Sequence, residues 1–475
     1  MNASIRRTAV VASVLFLALL VNISIVQLWR QSSLSADNRN RRVLDAEFAQ
    51  NRGAILAGDT QIATTTPIKD RFQYQRSYPE GSLYATVTGW YSYDFGRSGL
   101  EAKYSTELAG TASSQTLARL VDLFTGATPV GATIQTTIDP KLQQVAAQQL
   151  AGKKGAVVAL DPKTGAILAM VSTPTYDPNT LATHDLTAAR AAWTALNADP
   201  NKPLSDRGTR EIYPPGSTFK LVTAAAALEN GMAPDTMLNT PSQLTLPNST
   251  SVLGNEISAC GNGQQTMDRA FQLSCNTAFA NLGITLGADK IRAQAEKFGF
   301  NSAPMTDINA AKSQFPTQLD AAQTMLSAIG QYDVAASPLQ MAMVAAAIDN
   351  DGVLNTPYLV SEIRSADLKV LYRHGPDSKQ SLSSGSAQAL QQMMVNVVQK
   401  GTGTAAQVPG VVVGGKTGTA QTDLTKNPYA WFVSFAKNPD IAVAVFIEDA
   451  HVARNDIAGG ALAGPIAKAL IQASR

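Results

Sequence analysis

The chain has 475 residues, of which 45% are apolar and 16% are charged, and its formal net charge is +2. This length and composition indicate folded material with a sizeable core, divided into two or three domains. No long basic tract of the kind found in nucleic-acid-binding proteins is present, so DNA and RNA are not expected partners.

Histidine positions bear on the chemistry that the chain can carry out. His184, His374 and His451 lie far apart in the sequence, outside any His-Glu-x-x-His pattern. Neither a zinc hydrolase nor a Ser-His-Asp triad is therefore indicated, and we predict no metal site and no cofactor.

An apolar segment near the start of the chain, from Thr8 to Trp29, carries no formal charge. Its length matches the ~20 residues that cross a bilayer and exceeds the core of a simple signal peptide. We therefore predict an uncleaved transmembrane anchor over 8–29, after a short N-terminus at 1–7. The positive-inside rule does not settle its orientation, because arginines flank both ends: Arg6, Arg7, Arg30, Arg39, Arg41 and Arg42.

A short helix and a hairpin are predicted where the larger part of the chain begins. Asp139 and Pro140 are suited to the N-cap and first position of a helix. The apolar positions that follow lie on one helix face: Leu142, Val145, Ala146 and Leu150. Ala156–Leu160 and Ala166–Val171 are β-prone runs separated by a turn-forming cluster, which predicts a β-hairpin.

Ser217 and Lys220 form the most informative pair in the sequence. A Pro-Pro-Gly sequence precedes Ser217, and good helix formers follow Lys220, so Ser217 is expected at a helix N-terminus. Residues three apart share a helix face, which puts the serine hydroxyl beside the lysine amine. A neutral lysine can take the proton of a serine nucleophile. An ordinary Ser-x-x-Lys on an exposed helix is the alternative.

The middle of the chain, from about 185 to 400, is predicted to be mostly helical because of its alanine-rich segments. Within it, 241–265 is rich in Ser, Thr, Asn and Gly and is predicted to be a loop. Cys260 and Cys275 could form a disulfide if this region lies outside the cytoplasm, and two free, buried cysteines are the alternative.

Strands return in the last part of the chain. Runs at 411–413, 431–435 and 441–447 are β-prone, and 459–473 closes the sequence as a helix. Strands at both ends with helices between them predict an α+β domain, in which one antiparallel sheet is flanked by helices.

Three motifs together point to a known family. They are Ser217-x-x-Lys220, Ser274-x-Asn276 and Lys416-Thr417-Gly418, in that order. The set resembles the penicillin-recognising serine acyltransferases, which comprise penicillin-binding proteins and serine β-lactamases. Three further segments are similar to the class B penicillin-binding proteins: 156–165, 401–403 and 416–421. Two segments resemble actinobacterial members of that class: 1–7 and 213–220.

The resemblance implies an overall organisation and a location. It implies a non-catalytic pedestal or linker domain at 30–150 and a penicillin-binding transpeptidase domain at 151–475. The N-terminus at 1–7 would be cytoplasmic and the catalytic domain extracytoplasmic, held at the cytoplasmic membrane by one helix. The implied partners are peptidoglycan stem peptides ending in D-Ala-D-Ala, β-lactam antibiotics and other cell-wall or division proteins, with a role in cell division or cell shape.

The resemblance also implies roles for the motif residues. Ser217 would attack the carbonyl of the penultimate D-alanine, with Lys220 as the base of acylation. Ser274 would relay a proton to the leaving amine, and Asn276 would hold the substrate amide and hydrogen-bond to Lys220. Lys416 would attract the substrate carboxylate.

The residues after Lys416 are expected to complete the substrate site. Thr417, Gly418 and Thr419 are predicted to bind substrate, with the hydroxyl groups bonding to its carboxylate. Thr417 as a strand residue without substrate contact is the alternative. Backbone amides of Ser217 and Thr419 are expected to form the oxyanion hole.

Other functions are compatible with parts of the sequence. The stretch from Gly410 to Thr417 satisfies the P-loop pattern of nucleotide hydrolases, but three valines favour a strand, and Gly418 does not favour a helix start. A β-lactamase or a D,D-carboxypeptidase of the same superfamily is a further alternative. A β-lactam sensor is disfavoured, because seven residues before the apolar segment leave no room for a signalling region there.

Overall fold

The computed structural model describes residues 3–30, 41–115, 130–304, 307–421 and 427–475. Its larger part is built on a five-stranded antiparallel sheet, called the central sheet below. The strands lie in the spatial order Val412–Ala420, Tyr429–Lys437, Ile441–Asp449, Lys154–Leu160 and Ile167–Thr173. The third and fourth strands pair with Val445 opposite Val157, so both ends of the domain meet in one sheet, as predicted.

The first strand of the central sheet is longer than its sequence suggests. The β-prone run ends at Val413, yet the strand continues through Ala420 and pairs with its neighbour along its whole length. Gly414 and Gly415 lack β propensity, but a Cβ atom there would lie 2.4 Å and 2.6 Å from neighbouring phenylalanine rings. The glycines therefore allow aromatic side chains to pack over this strand.

Helices cover both faces of the central sheet. Pro338–Asp349 is buried along its whole length and packs on one face. Pro140–Leu150 and Gly464–Ala473 pack against each other on the opposite face. The Asp139 carboxylate accepts hydrogen bonds from two backbone amides of the first helical turn, which confirms the predicted N-cap.

A group of buried helices surrounds the helix that follows Ser217. That helix, Lys220–Glu229, is buried from Lys220 to Leu228. It contacts Asn276–Leu286, Ala288–Lys297 and Ser384–Lys400. The surrounding helices shield its first residue, Lys220, from water, and such burial disfavours the charged form of an amine.

A second sheet, called the N-terminal sheet below, has six strands. Their order is Val370–Arg373, Val360–Arg364, Thr133–Thr136, Ile55–Ala57, Thr60–Pro67 and Tyr74–Ser77. The prediction of a mostly helical 185–400 is therefore wrong for the segment that contributes the first two strands. Val360–Arg364 pairs with Thr133–Thr136, more than 220 residues away in the chain, and Val370–Arg373 pairs in turn with Val360–Arg364. Local propensity does not reveal such long-range pairing.

The predicted loop at 241–265 also contains strands. Met237–Pro241 pairs with Asn262–Thr266, and Gln243–Thr245 pairs with Val252–Gly254. Both are short antiparallel pairs, in which Leu238 and Thr240 are buried while Gln243, Thr245 and Val252 are exposed. Backbone hydrogen bonds stabilise them, so the polar composition that predicted a loop did not reveal them.

The remaining elements complete the chain. Further α-helices are Arg41–Phe48, Ala85–Thr88, Gly99–Lys103, Ser105–Leu108, Asn179–Ala182, Leu186–Ala198, Met267–Gln272, Ala321–Ser327 and Gly459–Leu462. Further strands are Tyr91–Ser92, Gly96–Arg97, Val353–Asn355 and Ser378–Gln380.

A long apolar helix, Ala3–Leu28, opens the described chain. It has 26 residues, and none of its most apolar 18-residue window is buried against the protein. Its length and composition make it a candidate membrane span that begins five residues before the predicted one.

Candidate active site

Ser217 lies in a tight turn that leads into a helix. Gly216–Phe219 is a 3-10 turn, and the α-helix begins at Lys220, as the sequence predicts. Gly216 has a φ of 52° and donates its amide to the carbonyl of Gly330 at 3.0 Å. Ser217 is half-buried whereas its neighbours in the turn are buried, so this turn presents one hydroxyl to the solvent side.

Lys220 is fully buried, and its amine contacts the second motif. Nζ donates to the backbone carbonyl of Ser274 at 2.7 Å and to Oδ1 of Asn276 at 2.7 Å, and lies 3.3 Å from Ser274 Oγ. Between the two described residues there is no hydrogen bond from Lys220 Nζ to Ser217 Oγ. The lysine amine is anchored on the Ser274–Asn276 segment, which includes the contact with Asn276 that the resemblance implies.

Ser274 has a backbone geometry that suits this contact. Its φ of 62° is in the left-handed region, which costs free energy for a residue other than glycine. The turn directs both its carbonyl and its hydroxyl to the lysines. The next residue, Cys275, forms a disulfide with Cys260. Asn276 then begins the helix Asn276–Leu286.

Lys416 approaches the same hydroxyl from the central sheet. It lies in the middle of Val412–Ala420, opposite Val433. Its amine donates to Ser274 Oγ at 2.8 Å and to the backbone carbonyl of Thr417 at 2.9 Å. Ser274 therefore lies between two buried lysine side chains from different parts of the chain.

Burial changes the titration of both lysines. Removal from water lowers the pKa of Lys220 well below its ordinary value, and the nearby charge of Lys416 lowers it further. Burial likewise lowers the pKa of Lys416, to about 7. Glu256 opposes both changes by favouring the charged lysines. Two amines that both lose a proton more readily than an exposed lysine thus flank one serine.

A cavity of ≈ 390 Å³ lies above this group of residues. Its lining includes Ser217 and Asn276 from the first two motifs and Thr419, the residue that follows the Lys-Thr-Gly motif. An ideal Cβ on Gly216 would lie 3.0 Å from the carbonyl oxygen of Thr419, so the end of the strand is in contact with the serine turn. The serine hydroxyl and the strand edge therefore face one space that is large enough for a peptide terminus.

Comparison with known proteins identifies the family. The family model described as the penicillin binding protein transpeptidase domain matches residues 155–472. The chain belongs to this family. A second model, described as the penicillin binding protein A dimerisation domain, matches residues 52–134.

Related proteins resemble the chain over its full length. The peptidoglycan D,D-transpeptidase PbpA of Mycolicibacterium smegmatis is 43% identical over an alignment that spans 100% of this chain and 99% of the relative. PbpA of Mycobacterium tuberculosis is 41% identical with the same coverage. The solved penicillin G acyl-enzyme complex of penicillin-binding protein A from M. tuberculosis has a TM-score of 0.84 at 39% identity, and the match covers 90% of this chain and 99% of that one.

Within this penicillin-binding protein, the three residues after Lys416 have different surroundings. Thr417 Oγ1 lies 2.7 Å from Thr402 Oγ1, a contact with the Gly-Thr-Gly flank, and Thr417 is not among the cavity-lining residues. Gly418 faces the serine turn, and a Cβ there would lie 2.9 Å from Thr218 Cγ2. Of the three, Thr419 lines the cavity.

The nucleotide-hydrolase alternative is wrong. A phosphate-binding loop requires a tight turn that leads into a helix N-terminus. Here Lys416 and Thr417 lie in mid-strand, paired with Val433 and Phe432. The Lys-Thr pair therefore belongs to the edge strand of a sheet, and the P-loop match is accidental.

Sequence reasoning missed several residues of the cavity. They include Leu253, Asn255, Glu256, Gln331, Tyr332 and Gln421. The composition of the segment around Glu256 predicts a plain loop. The spacing of Cys260 and Cys275 was the available signal, because a disulfide to the neighbour of Ser274 brings this segment to the site.

The aromatic residues near the motifs pack in the core. Tyr213 stacks on Phe446 with ring centroids 4.1 Å apart, and Trp431 is fully buried with Nε1 donating to the carbonyl of Pro214 at 3.1 Å. These contacts hold the segment before Ser217 against the central sheet, so both aromatic residues help to position Ser217.

Proposed function

We propose that this chain is a serine D,D-transpeptidase that cross-links peptidoglycan stem peptides through an acyl-enzyme on Ser217. Relatives that match the whole chain carry the name peptidoglycan D,D-transpeptidase. The observation that best supports the assignment of the site is the buried amine of Lys220, which donates to Ser274 and Asn276, three positions after the half-buried Ser217.

Lys220 is proposed as the base of acylation. A neutral amine has two N–H donors and one lone pair. The carbonyl of Ser274 and Oδ1 of Asn276 each accept a hydrogen bond from Nζ at 2.7 Å. These two acceptors can occupy both donors of the neutral amine and leave its lone pair for the proton of Ser217. The lowered pKa of Lys220 makes that neutral form accessible.

Acylation would then proceed by addition and elimination at the penultimate D-alanine. Ser217 Oγ bonds to the carbonyl carbon as its proton passes to Lys220 Nζ. The C–N bond to the terminal D-alanine breaks, and that nitrogen takes a proton, for which Ser274 Oγ is the proposed relay. Its contacts with both lysine amines, at 3.3 Å and 2.8 Å, support this role.

The substrate carboxylate is proposed to bind at the strand edge. The charged form of Lys416 attracts the carboxylate, and the Thr419 hydroxyl donates a hydrogen bond to it. The backbone amides of Ser217 and Thr419 are proposed as the oxyanion hole, supported by the close approach of the strand end to the serine turn. One such donor is commonly worth ~10²–10³ in rate.

The acyl group would finally pass to an amine of a neighbouring stem peptide. A β-lactam that opens on Ser217 would form an ester at the same atom, consistent with the solved acyl-enzyme complexes of the M. tuberculosis relative. A pedestal at 30–150 and a transpeptidase domain at 151–475 remain part of this proposal. Partners among the cell-wall or division proteins are suggested by family resemblance.

The catalytic domain is proposed to lie outside the cytoplasmic membrane, held by Ala3–Leu28. Its substrate is part of the cell wall, which supports this orientation. Protease added to wall-stripped, intact cells should digest the domain after this helix. Protection of the whole chain until the membrane is opened would contradict the orientation.

Release of D-alanine tests the function. The full chain in detergent should liberate D-alanine from a pentapeptide that ends in D-Ala-D-Ala, and Ser217→Ala should reduce the rate to background. Ser249→Ala, at an exposed serine, is the matched control and should keep the wild-type rate. Equal release by the Ser217→Ala protein would contradict the proposal.

A further inference from the structure

Glu256 is a carboxylate in the cavity that the proposed mechanism does not use. It lines the same ≈ 390 Å³ space as Ser217, Asn276 and Thr419. Among the described residues that line this cavity, Glu256 is the only one with a charged side chain. It is solvent-exposed at the cavity wall, so it can meet a ligand that enters from outside.

The Glu256 carboxylate has no partner in the described part of the chain. No ion pair within 4.0 Å and no hydrogen bond engages it there. It nevertheless acts on the site electrostatically, since it favours the charged forms of Lys220 and Lys416. Both lysine amines donate their hydrogen bonds to Ser274 and neighbouring groups. The carboxylate is therefore close to the reaction centre and still able to bind another cation.

The position of Glu256 is fixed by its neighbours. The Asn255 side chain donates to Thr277 Oγ1 at 2.9 Å and to the carbonyl of Cys260 at 3.0 Å, and it accepts from the amide of Thr277 at 3.1 Å. The disulfide from Cys260 to Cys275 adds a covalent link. Glu256 is thus attached to the Ser274–Asn276 segment and keeps its place relative to the nucleophile.

Transfer of the acyl group from Ser217 to an acceptor amine would be helped by a negative charge at the position of Glu256. An alkyl amine with a pKa near that of lysine, about 10.4, arrives as a cation at neutral pH. The buried lysines repel such a cation whenever they are protonated. When the amine attacks an ester carbonyl, its nitrogen again gains positive charge before it loses a proton. Water, the competing nucleophile, arrives without charge.

We propose that Glu256 binds the cationic amine of the acceptor stem peptide beside the acyl-enzyme and so favours cross-linking over hydrolysis. This inference rests on the proposed acyl-enzyme at Ser217. The ammonium group first loses one proton to solvent. Its nitrogen then bonds to the ester carbonyl carbon, the bond from that carbon to Ser217 Oγ breaks, and the second nitrogen proton passes through Lys220 to Oγ.

Partition of one acyl-enzyme between two nucleophiles tests this role. The full chain in detergent is acylated with an N-acyl-D-alanyl thioester at about pH 7.5, where the side-chain amine of Nα-acetyl-lysinamide is a cation. Mass spectrometry gives the ratio of amide product to hydrolysed acid. Hydroxylamine, which is neutral at this pH, serves as the uncharged acceptor in a parallel reaction.

Glu256→Gln should lower the amide-to-acid ratio about fivefold with Nα-acetyl-lysinamide, in line with the loss of one ion pair. With hydroxylamine the ratio should change by less than about twofold, because no cation is bound. Any effect of Glu256 on Lys220 is shared by all deacylation routes and cancels in the ratio. Glu256→Asp should retain most of the wild-type ratio with the cationic acceptor, because it keeps the charge.

Asp59→Asn removes a negative charge from an exposed turn of the N-terminal sheet and is the matched control, expected to keep the wild-type ratio. An unchanged ratio in Glu256→Gln would overturn the proposal, and so would an equal fall with both acceptors. Failure of the acyl-enzyme itself would be recognised separately, because the wild-type chain would then form no adduct with the thioester or with benzylpenicillin.

Discussion

At the scale of single residues, the site depends on two lysines that share one serine. Ser274 Oγ lies 3.3 Å from Lys220 Nζ and 2.8 Å from Lys416 Nζ. Two neighbouring cations in a buried site oppose each other's protonation. The arrangement therefore favours one neutral amine, suited to accept a proton, and one charged amine, suited to attract a carboxylate. Repulsion between the two like charges therefore assigns different protonation states to the proposed base and the proposed anion-binding group.

These two titrations predict the pH dependence of acylation. The second-order rate constant for benzylpenicillin should fall as the pH is lowered, because protonation of Lys220 removes the base. It should also fall above about pH 7, where Lys416 in the free enzyme loses its charge. Stopped-flow measurement of adduct formation between about pH 5 and 9 would give this profile. A rate constant that does not vary over this range would contradict the assigned roles.

The sequence identified the site residues better than their contacts. The motifs predicted that Ser217, Lys220, Ser274, Asn276 and Lys416 come together, and the structure brings them together. The family resemblance predicted the hydrogen bond between Lys220 and Asn276, but the sequence did not predict the bond from the Lys220 amine to the backbone carbonyl of Ser274, where the chain adopts a left-handed φ. Nor did it single out Glu256, since a long-range disulfide brings that residue to the cavity.

At the scale of secondary-structure elements, the strand Val412–Ala420 and the serine turn must approach closely. Gly418 permits this, because a Cβ there would lie 2.9 Å from Thr218 Cγ2 and 3.0 Å from the carbonyl oxygen of Pro215. The glycine of the Lys-Thr-Gly motif thus has a packing reason of its own. The strand edge would move away from Ser217 if this position carried a side chain.

Gly418→Ala should therefore slow acylation by benzylpenicillin by roughly 10²-fold, because small displacements of positioned groups are costly. Gly385→Ala is the matched control: nothing lies within 4 Å of its Cβ position, and alanine favours the helix Ser384–Lys400. The acylation rate constants of both purified variants provide the measurement. A wild-type rate in Gly418→Ala would show that the strand edge tolerates the added methyl group.

Element prediction succeeded where local pattern and final pairing agree. The helix capped by Asp139 and the hairpin of Lys154–Leu160 and Ile167–Thr173 were predicted from sequence. The short strands between 237 and 266 were not, because a composition rich in Ser, Thr, Asn and Gly also favours loops. The strand Val412–Ala420 was predicted too short for the same reason.

At the scale of the whole molecule, two sheets are joined by one segment of the chain. Val360–Arg364 and Val370–Arg373 come after the catalytic helices in sequence, yet they extend the N-terminal sheet. The backbone amide of Ile167, in the central sheet, donates to the carbonyl of Tyr358 at 3.0 Å, just before these two strands. The N-terminal sheet and the catalytic part are therefore expected to unfold together.

A buried charge cluster in the N-terminal part allows a test of this coupling. Glu101 is fully buried and pairs with Arg52 at 2.7 Å and Arg76 at 2.6 Å. Burial alone would raise the pKa of Glu101, but the two arginines outweigh it and lower the pKa. This stabilisation is present above the carboxyl pKa of the unfolded chain and is lost as the pH falls through the lower folded pKa.

Glu101→Gln should lower the free energy of unfolding at neutral pH by about 3–5 kcal/mol, because it leaves buried arginines unpaired. Glu47→Gln, in a partly exposed pair with Arg97, should cost no more than about 1 kcal/mol. Thermal unfolding followed by circular dichroism and by loss of penicillin labelling should shift together in Glu101→Gln. Labelling that survives the melting of the N-terminal part would contradict the coupling.

The most direct test of the central claim is intact-protein mass spectrometry of the full chain in detergent after incubation with benzylpenicillin. The account predicts one adduct per chain, mapped to the peptide that contains Ser217 and absent from Ser217→Ala. Slow loss of the adduct is expected of a transpeptidase, and rapid loss would favour the β-lactamase alternative. An adduct that persists in Ser217→Ala, or no adduct in the wild-type chain, would contradict the account.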